Sequence, residues 1–134
     1  MPAGKAFFDT NVVLYSLSQE AWRKQRVAEH MSGGGVISTQ VLAESANVMR
    51  RKFKLDLADI QDFHDTLLGA CEIRLIEPAT VRHALEIAAR YGFSIYDSLV
   101  LATALQAGCS TLYSEDMQHG QVIEGTLTIV DPFR

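Results

Sequence analysis

Four acidic residues have the residue type and the sequence setting for metal-ion chemistry. Asp9 and Asp116 each follow a short apolar run, whereas Glu44 and Asp97 lie near the start of helical patterns. Carboxylate oxygens prefer hard cations, so such a set favours Mg²⁺ or Mn²⁺ over Zn²⁺. One or two such ions would activate water and stabilise charge on a phosphodiester during in-line attack.

Each of these acids also has a local structural explanation. Aspartate is a favoured N-cap, which suits Asp9. Ser94 and Asp97 resemble a capping box, with aspartate in place of the usual glutamate or glutamine. Asp116 fits a turn, and Glu44 fits the solvated border of an apolar helical stripe. The metal hypothesis is stronger only if the fold brings all four acids together. Clustered carboxylates repel one another, and a divalent cation removes that repulsion.

The elements that would position these acids alternate along the chain. Short apolar runs predict five strands, and the segments between them have helical periodicity. Pro78, Gly92 and Gly108 lie where helices commonly begin or end. The predicted strands are 6–8, 36–38, 73–76, 111–113 and 126–130, and the predicted helices are 11–17, 20–31, 40–53, 57–70, 79–91 and 96–107.

This alternation predicts an α/β fold with a parallel sheet covered by helices on both faces. The helix from residue 96 is apolar nearly all round, which predicts that it is buried. Functional crevices in such folds lie beyond the carboxyl ends of the strands. All four acids are therefore expected at that edge of the sheet.

Composition is that of a globular protein. The 134 residues are 48% apolar and 21% charged, which predicts a single domain over residues 1–134. The sequence suggests neither a signal peptide nor a transmembrane helix, so a cytoplasmic location is expected. Cys71 and Cys109 form no metal-binding or redox motif, and reduced thiols are expected over a disulfide.

The net charge of −4 hides an uneven distribution. Residues 1–54 hold eight of the twelve lysines and arginines, and residues 55–134 hold twelve of the sixteen acids. The bases concentrate in two clusters, at 23–26 and 50–54. Either cluster could contact phosphates or be a solvated helix face. The candidate RNA-contacting residues are Arg50, Arg51, Lys52 and Lys54.

Four segments in this order resemble a PIN domain: Phe8–Leu14, Gln40–Glu44, Tyr96–Val100 and Ser114–Asp116. The resemblance covers essentially the whole chain. It implies a three-layer α/β/α fold with a central, mostly parallel five-stranded sheet. By the same resemblance the four acids bind Mg²⁺ or Mn²⁺ and carry out catalysis. It also implies that Thr10 and Asn11 support Asp9, and that Ser114 is a polar site residue two positions before Asp116.

In its size and its bareness, the domain most resembles the VapC-type toxins of type II toxin–antitoxin pairs. That family implies cleavage of RNA, a homodimer and a cognate antitoxin that blocks the site. Two questions stay open from the sequence. Glu115 could compete with Asp116 for its role, and His119 could contact the site or lie on the surface.

Three other classes of protein match the sequence less well. A phosphohydrolase of the HAD type would need a second aspartate where Asn11 stands. A receiver-like signalling domain would need paired early acids and a lysine after a late strand. A PIN fold that acts only as an RNA-binding or scaffold module would usually have lost part of its acidic set.

Overall fold

The computed structural model describes residues 4–134, which form one six-stranded sheet with its helices. The strand order is β3-β2-β1-β4-β6-β5. Five strands are parallel, and the short edge strand β5 pairs antiparallel with β6. The strands are β1 Lys5–Phe8, β2 Gly35–Ser38, β3 Cys71–Arg74, β4 Cys109–Tyr113, β5 Val122–Ile123 and β6 Leu127–Val130.

Helices connect the strands from β1 to β4, and a loop with β5 connects β4 to β6. The predicted three-layer α/β/α fold class is confirmed, with six strands in the sheet where five were expected. The first helix continues as a single 3-10 turn at Tyr15–Leu17. The helices are α1 Thr10–Leu14, α2 Ala21–Met31, α3 Thr39–Arg51, α4 Leu57–Ala70, α5 Pro78–Tyr91 and α6 Ile95–Gln106.

The central strand β1 determines where the crevice lies. It is flanked by parallel strands on both sides, and Phe7 and Phe8 are fully buried because helices cover both faces of the sheet. The chain moves from β1 to β2 and β3 on one side, and then crosses to β4 on the other. The carboxyl ends of β1 and β4 therefore border a topological switch point, where α/β proteins bind ligands.

Helix α6 is buried as predicted. Val100, Leu101, Ala102 and Ala104 are at most 3% exposed, and α6 packs beside α5. Gly92 ends α5 in the left-handed conformation with a φ of 81°, which accounts for a glycine there. The first turn of α6 therefore has a fixed position against the sheet.

Two strand predictions differ from the structure. Strand β3 begins at Cys71 because α4 runs directly into it, and its register places Gly35 of β2 beside Cys71. Leu75, which the pattern assigned to this strand, lies outside it and is exposed. Strand β5 was not predicted, because two residues are too short to show a periodic pattern.

Cys71 and Cys109 are both free thiols, as expected. Among residues 4–134, no helix is both long enough and apolar enough to cross a membrane.

Candidate active site at the carboxyl edge of the sheet

Asp9 directly follows β1 and is the most buried of the four acids, with 8% of its surface exposed. Its Oδ1 accepts a hydrogen bond from the Thr10 backbone N–H at 2.8 Å, and its Oδ2 accepts one from Ser114 Oγ at 3.0 Å. Burial, with smaller contributions from the nearby Asp97 and Asp116, raises its pKa to about 6, although the two hydrogen bonds act to lower it. The fold thus holds a desolvated carboxylate in a fixed orientation.

Ser114 joins the loop after β4 to Asp9. It is fully buried, and its Oγ also accepts a hydrogen bond from the Asp116 backbone N–H at 3.3 Å. The Asp116 side chain is exposed and its Oδ2 contacts the Asn11 amide. Ser114 therefore contacts Asp9, whereas the Asn11 side chain, which the resemblance assigned to the support of Asp9, contacts Asp116.

Asp97 lies in the first turn of α6, where its backbone N–H donates to Ser94 Oγ at 3.1 Å. Partial burial raises the pKa of its carboxyl group, a side-chain hydrogen bond with Ser94 lowers it, and the charge of Asp116 raises it. Ser94 thus caps α6 as the sequence suggested, and Asp97 lies in the first turn, within electrostatic range of two other acids. The structural and functional explanations are compatible here.

Glu44 reaches the same edge from α3. Its Oε2 accepts a hydrogen bond from Thr10 Oγ1 at 3.4 Å, so Thr10 contacts both Asp9 and Glu44. Its Oε1 accepts one from Gln40 Nε2 at 2.6 Å, and the same Gln40 nitrogen lies 3.3 Å from the backbone oxygen of Tyr96. Gln40 therefore connects Glu44 to the start of α6.

The role of Gln40 was missed in the sequence. The available signal was its position four residues before Glu44, which places both side chains on the same helical face.

The four acids thus share one edge of the sheet in two tiers, with Asp9 buried and the other three at the rim. Among residues 4–134, no three acidic, histidine or cysteine side chains lie close enough, as placed, to hold one ion together. An all-oxygen set around a desolvated carboxylate nevertheless has the donor chemistry of a hard divalent ion.

The two basic clusters, at 23–26 and 50–54, differ in the contacts that their side chains make within the protein. In the first, Arg23 pairs with acids and Arg26 Nη1 donates to the Pro132 carbonyl at 2.8 Å. In the second, at the end of α3, Arg50 Nη1 donates to the Leu55 carbonyl at 3.1 Å, while the residues around it are exposed. Lys52 and Asn11 line the same groove, whose volume is about 770 Å³.

Glu115 and His119 both engage partners away from the acidic cluster. Glu115 accepts hydrogen bonds from Tyr15 Oη at 2.7 Å and from Arg23 Nη1 at 2.8 Å. His119 is exposed, and its Nδ1 accepts the backbone N–H of Asp131 at 3.0 Å. Asp116, and not Glu115, contacts Asn11 beside the site.

In an open α/β sheet, a carboxylate cluster at the switch point lies where such folds bind ligands, and its oxygens can hold divalent cations. The model of the PIN domain family matches residues 6–123, which is most of the chain. The chain therefore belongs to the PIN domain family, whose members are generally nucleases.

Solved structures of similar fold include a toxin–antitoxin complex from Klebsiella pneumoniae, with a TM-score of 0.73 and 20% identity over 96% of this chain and 98% of that chain. VapC20 of Mycobacterium tuberculosis, described as a sarcin–ricin loop cleaving toxin, has a TM-score of 0.67 and 15% identity over 84% of this chain and 90% of its own. FitAcB of Neisseria gonorrhoeae has a TM-score of 0.65 and 18% identity over 96% and 98%. A search of curated protein sequences found no match.

Proposed function

We propose that this chain is a metal-dependent endoribonuclease that hydrolyses RNA phosphodiester bonds, and that it is the VapC-like toxin of a toxin–antitoxin pair. The observation that carries the proposal is the buried carboxylate of Asp9, held by two hydrogen bonds and within electrostatic range of Asp97 and Asp116. Membership of a family of nucleases and the fold shared with a cleaving toxin support it.

The proposed metal ligands are Asp9, Glu44, Asp97 and Asp116, and Mg²⁺ or Mn²⁺ is the ion that their oxygens favour. When bound, the metal would lower the pKa of water and stabilise charge on the scissile phosphate. Without a cation, four carboxylates would repel the phosphates of an approaching RNA. Because a bound cation would remove this repulsion, metal dependence is part of the proposal.

The chain's own residues would prepare the acids for this task. Thr10 and Ser114 fix the Asp9 carboxylate, and the pKa of about 6 leaves it mainly ionised at neutral pH. Gln40 and Thr10 hold Glu44 at the rim. Hydrolysis then requires a water oxygen to bond to phosphorus as the phosphorus–oxygen bond to the leaving sugar breaks, and one water proton ends on the leaving oxygen.

The remaining parts of the proposal concern partners and setting. We propose a cognate antitoxin because neighbouring folds include a toxin–antitoxin complex and FitAB bound to a DNA fragment. A homodimer is supported by Val81 and Leu85, exposed apolar side chains one turn apart on α5. Light scattering of the native chain beside Leu85→Glu would test the dimer. A single domain and a cytoplasmic location complete the proposal.

The central test is RNA cleavage by the purified chain with Mg²⁺, Mn²⁺ or EDTA, beside Asp97→Asn. Asparagine keeps the cap, because the backbone of residue 97 makes the hydrogen bond to Ser94. We expect cleavage to require the metal and to fall about 100-fold or more in the variant, with an unchanged melting temperature. Asp62→Asn, an exposed acid of α4, is the matched control and should stay within about twofold of the native rate.

Other outcomes would contradict parts of the proposal. Equal cleavage by the native chain and Asp97→Asn would remove Asp97 from the metal site. If the variant unfolds at a lower denaturant concentration and its free energy of unfolding falls by several kcal/mol, Asp97 is mainly structural. Absence of cleavage on structured and unstructured RNAs would favour the scaffold alternative.

A further inference from the structure

The loop after β4 presents two adjacent acids in different directions. Asp116 contacts Asn11 beside the acidic cluster, whereas Glu115 is hydrogen-bonded to Tyr15 and ion-paired with Arg23. Both Glu115 oxygens therefore have partners in the protein, one each. A carboxylate engaged in this way is not free to join a metal site without breaking an ion pair that is only partly exposed.

Arg23 is held by aromatic rings as well as by charge. Its guanidinium carbon lies 4.9 Å from the ring centre of Tyr15 and 5.0 Å from those of Trp22 and Phe133. Its Nε lies 3.3 Å from Glu20, and only 24% of the side chain is exposed. Because three rings confine the guanidinium, it loses little conformational entropy when it pairs with Glu115.

The C-terminal segment closes this arrangement. The Phe133 ring packs edge-on against Tyr15 with ring centres 4.6 Å apart, and against Trp22 at 5.9 Å. The contacts around Arg23 therefore join four separate parts of the chain: the 3-10 turn, α2, the loop after β4 and the C-terminus. Contacts between segments so distant in sequence fix the loop relative to the rest of the fold.

Asp116 needs such support because its own contacts are few. Its side chain is exposed, it belongs to no helix or strand, and its backbone N–H has a long 3.3 Å hydrogen bond to Ser114 Oγ. Met117 on its other side is buried, at 7% exposure. Apart from the Asn11 contact with its side chain, the position of Asp116 thus depends on its neighbours Ser114, Glu115 and Met117.

We propose that Arg23, Tyr15 and Glu115 form an anchor that positions Asp116 for metal binding, and that Glu115 is a positioning residue and not a metal ligand. The inference rests on the proposed function, since it assigns a task to the same site. Arg23 also balances the charge of Glu115, so the acidic cluster does not acquire a fifth unpaired carboxylate. This role answers the question that the sequence left open between Glu115 and Asp116.

The test measures Mn²⁺ binding by calorimetry, and RNA cleavage with saturating Mn²⁺, for four variants. Arg23→Gln and Glu115→Ala break the anchor and should each raise the Kd for Mn²⁺ about tenfold and lower kcat, with little change in KM. Glu115→Gln keeps an oxygen that accepts from Tyr15 and Arg23, so it should restore the Kd to within about threefold of native. Lys24→Gln removes one positive charge from α2, the helix that carries Arg23, and should leave the Kd for Mn²⁺, kcat and KM unchanged.

A double-variant cycle separates positioning from general structure. If Arg23 acts through Asp116, Arg23→Gln should have almost no further effect on the Kd in an Asp116→Asn background. Additive losses, or native Mn²⁺ affinity in Arg23→Gln, would overturn the anchor. So would a Glu115→Gln variant that loses as much affinity as Asp116→Asn, because Glu115 would then be a ligand. Mn²⁺ binding is measured without RNA, so a chain that cleaves no RNA would contradict the proposed function and still test the anchor.

Discussion

The two neighbouring strands β1 and β4 are each followed by an acid of the candidate site, but the two acids have opposite surroundings. Asp9 is 8% exposed, and both its oxygens are hydrogen-bonded by Thr10 and Ser114. Asp116 is exposed and its orientation depends on the loop around it. The same residue type at the same edge of a sheet is thus fixed in one place and adjustable in the other.

The difference follows from the position of each strand's end in the fold. The loop into α1 is short and covered, so Asp9 loses water and its pKa rises to about 6. The loop after β4 passes over the surface, where Asp116 stays hydrated. A buried acid is costly to keep ionised but is held in place, whereas an exposed acid costs little and requires an anchor.

The largest expected effect is on catalysis. Asp9→Asn should lower kcat/KM for RNA about 1,000-fold, since the central desolvated oxygen ligand is lost while asparagine still caps α1. Asp116→Asn should lower it only about tenfold to 100-fold, because water can replace an exposed ligand. A greater loss in Asp116→Asn than in Asp9→Asn would reverse the comparison.

The second effect is on stability as pH changes. The Asp9 pKa is about 6 in the fold and 3.8 as a free group, so the metal-free fold favours the protonated form. Its stability contribution is complete below pH 4 and is lost as pH rises through 6, by about 3 kcal/mol. We expect urea unfolding in EDTA to show Asp9→Asn gaining up to that amount over native between pH 4 and pH 8. A constant difference across this range would show that the Asp9 pKa is not raised.

The third effect concerns Ser114, which joins the two acids. The Ser114 hydroxyl donates a hydrogen bond to Asp9 Oδ2, and this bond lowers the pKa of Asp9. Ser114→Ala removes the bond and should therefore raise that pKa. We expect kcat to fall about tenfold and the acid limb of the pH–rate profile to move to higher pH. Ser110→Ala, which changes an exposed serine on β4, is the control. An unmoved acid limb would separate Ser114 from the ionisation of Asp9.

The smallest effect concerns the basic cluster at the end of α3. Lys52→Gln should flatten the dependence of log K on log salt for single-stranded RNA by about 0.7, the value for one lost phosphate contact. Binding would be measured in an Asp97→Asn background to prevent cleavage. Lys24→Gln, from the other cluster, should leave the slope unchanged. An unchanged slope in Lys52→Gln would remove Lys52 from the interface with RNA.

Much of the fold was predictable because its signals are local. The parallel strands and the helices follow from apolar runs and helical periodicity, and the start of α5 and α6 from Pro78 and Ser94. The unpredicted parts lack such signals. Strand β5 is two residues long, and the start of β3 is determined by its pairing with β2 and by the end of α4.

The candidate site divides in the same way. The order and identity of the four acids, and the cap positions of Asp9 and Asp97, were determined by the sequence alone. Tertiary structure decided that Gln40 would reach both Glu44 and α6, and that Glu115 would turn to Arg23 while Asp116 turned to Asn11. These contacts join residues far apart in the chain. Their geometry depends on sheet register and loop direction, neither of which a local pattern of residue types records.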